Sequence, residues 1–343
     1  MSIDEQSLRR VLQTPLKLNA KAGERVLIIT DTAIDPRVWS ALQGAAVDLG
    51  MEPIVSVITP REAHSTNPPG VICDAALDSR TDLSIYLTST AMAHAKLTDA
   101  FIDQRKRFIL MEELSADMLG EDGPGSADYP ALNRLGLKIA ETYTRGDSIT
   151  VTCPNGTNLT ASITDRPGRS ISGLPLEMRP GGGIGCAFPD GEAHVCPVEG
   201  TGNGRIVFDL TAHSTGLLDE PIVIEVKNGR AISIEGGRGA QIWRDILARF
   251  ADDNNYNCPA EIAIGLNPKV TPTGKMRTDK KMYGAVHIGL GDTIALGGTC
   301  HARLRLEGVI SKPEVSVDGQ LLTRDGKILI DEEGVGNDIP ARV

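Results

Sequence analysis

Aromatic side chains make up only 3 % of the 343 residues, so no stacking platform for nucleic-acid bases is in view. Runs of Lys and Arg are absent and the net charge is −10, which speaks against a phosphate-backbone partner. No apolar stretch approaches the roughly 20 residues that cross a bilayer. The opening "MSIDEQSLRRVLQT" reads as a short amphipathic helix, not as a secretory signal. The six cysteines (Cys73, Cys153, Cys186, Cys196, Cys258, Cys300) form no C-x-x-C pair and read as reduced and mostly buried. The expectation is a cytoplasmic protein with a small-molecule partner, no nucleic acid and no membrane. There is no G-x-S-x-G elbow and no cysteine in a nucleophile context, which leaves acyl-enzyme chemistry unsupported. The first strand-to-helix turn, "TDTAIDP", also lacks the glycines of a dinucleotide site.

What is present is ordinary globular material, 41 % apolar and 23 % charged. The first half alternates strand and helix. "RVLIITD" (25–31), "PIVSVIT" (53–59), "DLSIYLTST" (82–90) and "RFILME" (107–112) are short apolar runs, with helical stretches at about 36–50 and 91–105. This pattern predicts a doubly wound α/β domain with a mainly parallel sheet over residues 1–145. From about residue 146 to 343 the pattern changes to alternating strands around Asn155-Gly156, Asn228-Gly229, Asp318-Gly319 and Asp325-Gly326, each a hairpin signal. One helix interrupts them, "GAQIWRDILARFADD" (239–253), with Ile242, Ile246 and Phe250 spaced for one face. The second domain is expected to be mainly antiparallel β and barrel-like. "RPGGGIGCAFPDG" (179–191) reads as a loop or bulge that lines a site, more than as a linker.

Four stretches of the second half set acids or histidines beside glycine turns. "FPDGEAHVCPVEG" (188–200) puts Glu192 and His194 on one strand face, and "CPAEIAIGLNP" (258–268) carries Glu261 into an apolar strand. "YGAVHIGLGD" (283–292) buries His287 in an apolar run. "GGTCHARLRLEGVISKP" (297–313), read as one strand, lines up His301, Arg303, Arg305 and Glu307 on one side. An acid or imidazole inside an apolar run is costly unless it is paired, hydrogen-bonded or metal-bound. Neighbouring strands bearing His, Glu and Asp are a common way to build an oxygen/nitrogen site for Zn, Mn or Fe. A solvated face with cross-strand ion pairs is the competing reading of "HARLRLE". His64, His94 and His213 are expected to lie outside the site.

These blocks, in this order over about 180–325, resemble the superfamily of aminopeptidase T-type metallopeptidases, and within it the 2,5-dihydroxypyridine 5,6-dioxygenases of nicotinate catabolism. The resemblance implies a metal site at Glu192, Glu261, His287 and an H-x-D pair, with one Fe(II) held by two His and one Asp in the dioxygenases. At the H-x-D pair this chain reads Arg305-Leu306-Glu307. Arginine stays protonated and offers no lone pair to a metal.

Two arrangements are therefore open. A rebuilt site would hold Fe(II) or another divalent metal with His287, His301, Glu261 and Glu307. Without a metal, Glu192, Glu261, His287 and Glu307 would act directly, with Arg303, Arg305 and His301 binding an anionic substrate. The expected activity is ring opening of a small hydroxylated, anionic N-heterocycle. The alternative is hydrolysis of an amide or cyclic amide, metal-dependent or carried out by Glu and Arg alone. The resemblance also implies a homodimer or a higher homo-oligomer.

Overall fold

The computed structural model describes residues 3–62, 66–93, 95–178 and 181–330. His64 and His94 lie outside the described residues. The chain divides into two compact units, one of residues 1–130 and 171–190, the other of 131–170 and 191–343. In place of a single boundary near residue 145, the chain passes between the units three times, after residues 130, 170 and 190.

The first unit holds a six-stranded sheet in the order Glu52–Ile58, Arg25–Asp31, Leu83–Leu87, Arg107–Leu110, Ile184–Ala187, Leu176–Glu177. Its first five strands run parallel and only the last pairing is antiparallel. Leu83–Leu87 is buried at every position, as a central parallel strand covered on both faces must be. The helix Pro36–Asp48 starts where Pro36 presets the first turn and Asp35 accepts the Arg37 N–H. The glycine-rich segment that resembled a site-lining loop instead supplies the strand Ile184–Ala187. Gly185 pairs with Phe108, and a Cβ there would collide with the Phe108 ring. Glycine at 185 therefore serves strand packing.

The second unit is antiparallel and carries two sheets; among the described residues neither closes into a barrel. Three of the four expected hairpins are two-residue turns with both residues at positive φ: Asn228-Gly229, Asp318-Gly319 and Asp325-Gly326. That is the geometry in which turn twist matches strand twist. Asn155-Gly156 differs, lying in a longer loop between Ser148–Thr152 and Asn158–Ser162 with only Gly156 at positive φ. The helix Arg238–Arg249 buries Ala240, Trp243 and Leu247, one position away from the expected Ile242–Ile246–Phe250 stripe. Trp243 sets that rotation. Its ring packs 5.6 Å from Phe208 and its Nε1–H donates to the His213 carbonyl. None of the six cysteines forms a disulfide, and Cys186, Cys196 and Cys258 are buried. No helix among the described residues is long and apolar enough to cross a membrane.

Four strands of the seven-stranded sheet matter most: Glu192–Val195, Glu261–Gly265, Val286–Gly291 and Arg305–Ile310, side by side and antiparallel. Period-two alternation splits them into two faces. One carries Ala193, Val195, Ile262, Ile264, Val286, Ile288, Leu290, Leu306 and Ile310, all buried hydrophobics. The other carries Glu192, His194, Glu261, His287, Arg305 and Glu307, interleaved with Ala263, Gly265, Gly289 and Gly291 and, opposite His287, Val309.

Candidate active site

Cross-strand register explains how so many polar side chains fit on one face. Each stands opposite a small residue: Glu192 opposite Gly265, His194 and His287 opposite Ala263, Glu261 and Glu307 opposite Gly289, Arg305 opposite Gly291. Gly289 sits between the two acids, and a side chain beyond Cβ there would stand against Glu261. Gly265 has another use: a Cβ would strike the Met282 carbonyl, so glycine lets the segment bearing Lys281 descend onto Glu192.

The carboxylates of Glu192, Glu261 and Glu307 and the imidazoles of His194 and His287 are all at most 5 % exposed. Three buried carboxylates demand compensation. Lys280 Nζ lies 2.6 Å from Glu307 Oε2, and Arg305 Nε lies 3.2 Å from Glu307 Oε1. Lys281 Nζ contacts Glu192 Oε2. Burial alone would raise the Glu307 carboxyl, but Lys280 and Arg305 outweigh it and hold the group well below the usual carboxylate range. Glu192 behaves alike, burial being outweighed by Lys281 and the neighbouring imidazoles. Burial would also raise Glu261; His287 and Arg305 lower it in spite of the opposing Glu307 charge. Burial would lower the Lys280 ammonium, but Glu307, Glu192 and Glu261 together outweigh it and raise the group above its ordinary value.

Among the described residues, no hydrogen-bond partner is found for either nitrogen of His194, for His287 Nε2 or for Glu261 Oε2. His194 Nδ1 stands 3.7 Å from Glu192 Oε1 and 3.8 Å from Glu261 Oε1. His287 Nε2 stands 3.6 Å from Glu192 Oε2 and 3.8 Å from Glu261 Oε1. His287 Nδ1 is 3.3 Å from the Lys280 carbonyl, which can only accept, so that nitrogen carries the hydrogen. In the neutral ring the Nε2 lone pair then faces two carboxylates, an arrangement that repels unless a cation lies between them. Ligand atoms of Glu192, His194 and Glu261, and separately of Glu261, His287 and Glu307, lie within 4.8 Å of one another. The donor set fits a divalent metal.

The structure brings together Glu192, Glu261, His287, Arg305 and Glu307. It does not bring His301 or Arg303 to them. The strand expected from residue 297 begins only at Arg305. The N–H groups of Ala302, Arg303 and Leu304 donate to the side chains of Asp292, Asp252 and Asn255 instead of to a neighbouring strand. His301 is 88 % exposed, with Nδ1 3.1 Å from Asp292. His213, expected outside the site, accepts the Glu307 N–H at Nδ1 over 2.8 Å.

Lys280 and Lys281 were invisible to periodicity, because they follow the four-residue helix Met276–Asp279 in an irregular segment. Buried Asp279 anchors that segment, accepting from Thr211, Thr273 and the Gly274 N–H.

The 2,5-dihydroxypyridine 5,6-dioxygenase (NicX) family model matches residues 7–330, and the chain belongs to that family. Its fold resembles the 2,5-dihydroxypyridine dioxygenase of Pseudomonas putida KT2440, at 20 % identity and TM-score 0.78, over 96 % of this chain and 99 % of that one. It also resembles wild-type AmpT of Thermus thermophilus, at 14 % identity and TM-score 0.68, over 95 % and 99 %. None of the curated proteins matches. The relatives are enzymes of two reaction classes, a dioxygenase and an aminopeptidase.

Proposed function

We propose that the protein is a ring-opening dioxygenase acting on a small, hydroxylated, anionic N-heterocycle of the dihydroxypyridine class. Family membership supports this reading. One observation of the site carries it: unsatisfied imidazole and carboxylate atoms converge over a strip of the sheet cleared by Gly289 and Ala263. Glu261 and His287 would hold a divalent metal there. A redox-active metal, when bound, supplies the one-electron chemistry by which dioxygen reacts with a closed-shell ring.

The chain's own residues do the rest. Lys280 and Arg305 keep Glu307 ionised, and Lys281 does the same for Glu192, so three cations stand against three carboxylates. A divalent cation added to that balance leaves surplus positive charge, which suits a deprotonated hydroxypyridine. The planar fork of Arg305, on the same face as Glu261, suits a carboxylate or phenolate of the substrate. Burial keeps water from the reacting atoms.

The test is oxygen consumption by Fe(II)-loaded protein supplied with 2,5-dihydroxypyridine and related hydroxypyridines, with both atoms of ¹⁸O₂ traced into the product. Consumption of one O₂ per ring lost is expected; ring loss without oxygen uptake overturns the reading. Hydrolysis of an amide or cyclic amide is the second reading, favoured by the gathering of three carboxylates at one place. It requires product formation under anaerobic conditions.

A further inference from the structure

We infer that the substrate carries a carboxylate in addition to its ring oxygen, and that Lys280 and Arg305 bind that carboxylate at the outer edge of the buried cluster. The kind of molecule follows from the ring-opening reading proposed above, on which this inference rests; the place follows from the two cations. Their side chains are 16 % and 18 % exposed, against 2 % for the Glu307 side chain that both face. Glu192, His194, Glu261, Lys281 and His287 are all at most 5 % exposed. Lys280 and Arg305 are therefore what an incoming molecule meets first.

Both cations have donors to give. Lys280 Nζ donates to Glu307 Oε2 over 2.6 Å and, among the described residues, to no other group, so hydrogens of the ammonium remain for a second acceptor. Arg305 turns Nε to Glu307 Oε1 at 3.2 Å, and its planar fork carries four further N–H groups. A carboxylate accepts from an ammonium and a guanidinium together, through short charge-assisted bonds that a neutral ring substituent does not form. Charge points the same way. Lys281 offsets Glu192, which leaves Glu261 and Glu307 against Lys280 and Arg305. A divalent ion held by Glu261 then leaves the cluster positive by the whole charge of that ion. A ring oxyanion cancels half of the surplus and a carboxylate the rest. Unbalanced charge is costly away from water, so a doubly negative substrate suits the site better than a singly negative one.

The experiment is calorimetric titration of the Fe(II)-loaded full chain, without oxygen so that no turnover occurs. The probes are 2-hydroxypyridine and the 3-, 4- and 5-carboxylates of the same ring. At least one carboxylate should bind about 10-fold or more tightly than the parent ring. Lys280→Gln and Arg305→Gln should each shrink that ratio at least about fivefold. A ratio below about 10 for all three carboxylates, or one that either variant leaves unaltered, overturns the inference. The wild-type ratio decides the substrate class even if a variant fails to fold. Tight binding of a carboxylate with no oxygen uptake by any hydroxypyridine complex once oxygen is admitted sinks the ring-opening reading and leaves the carboxylate subsite standing. Oxygen uptake on 2,5-dihydroxypyridine with no preference for a carboxylate does the reverse.

Discussion

The two ends of the buried cluster are built from the same kind of carboxylate and differ in what faces them. At the Glu307 end, Lys280 and Arg305 saturate the charge; at the Glu261 end, imidazole and carboxylate atoms stand close together without hydrogen-bond partners among the described residues. A buried pair contributes little net stability but is costly to break, because the survivor is left charged in a poor solvent. Unsatisfied atoms lower stability outright and are kept where a ligand completes them. On the proposed reading, the Glu307 end sets structure and charge and the Glu261 end binds the metal.

The largest effect that would sharpen this contrast is expected at the unsatisfied end. Glu261→Gln should lower kcat/KM about 10³-fold while leaving the urea midpoint unchanged or raised, measured by oxygen uptake and by denaturation. Equal loss of stability and activity would erase the distinction. At the paired end, Lys280→Met should destabilise the fold by about 3 kcal/mol, the lower part of the range because Arg305 still faces Glu307. Adding Glu307→Leu should recover most of that loss; a strictly additive double mutant would show that the pair is not coupled.

A smaller effect belongs to Glu199, which lies apart from the cluster. Burial would raise its carboxyl, but hydrogen bonds from Thr293 and the Thr299 N–H, with Arg166, bring it from 4.5 to about 2. A depressed carboxyl stabilises the fold above its ordinary value, and that stability drains away between about pH 4.5 and pH 2. Glu199→Gln should therefore flatten the decline of the urea midpoint across that window without altering activity at pH 7. An unchanged slope would remove Glu199 from the account. The smallest effect is predicted for His301→Ala, whose exposed ring bonds Asp292, and which should stay within about twofold of wild-type activity.

How legible all this was in the sequence depends on whether the signal is local. Strand alternation and Asn-Gly or Asp-Gly turns act over a few residues, and the sheets of both units follow from them. Glu261 and His287 stood out because a polar residue in an apolar run needs a reason. Alternation also misled, since "HARLRLE" keeps its period while Asp292, Asp252 and Asn255 capture the backbone before Arg305. Lys280 and Lys281 carry no periodic mark; only the return of the chain over Gly265 brings Lys281 to its acid. His194 was visible beside Glu192, yet nothing local shows that both its nitrogens lack partners.

The alternation of the four strands also has an evolutionary consequence. Residues that make the core and residues that make the chemistry take turns along the chain, so they can be inherited separately. A point change such as arginine at 305 rewrites the chemistry and leaves Leu306 and Ile310 in the core, whereas one inserted residue would turn isoleucines into the site and acids into the core. Two chains can thus share 20 % of their residues and one fold, at a TM-score of 0.78, while the alternate positions that face the site remain free to differ.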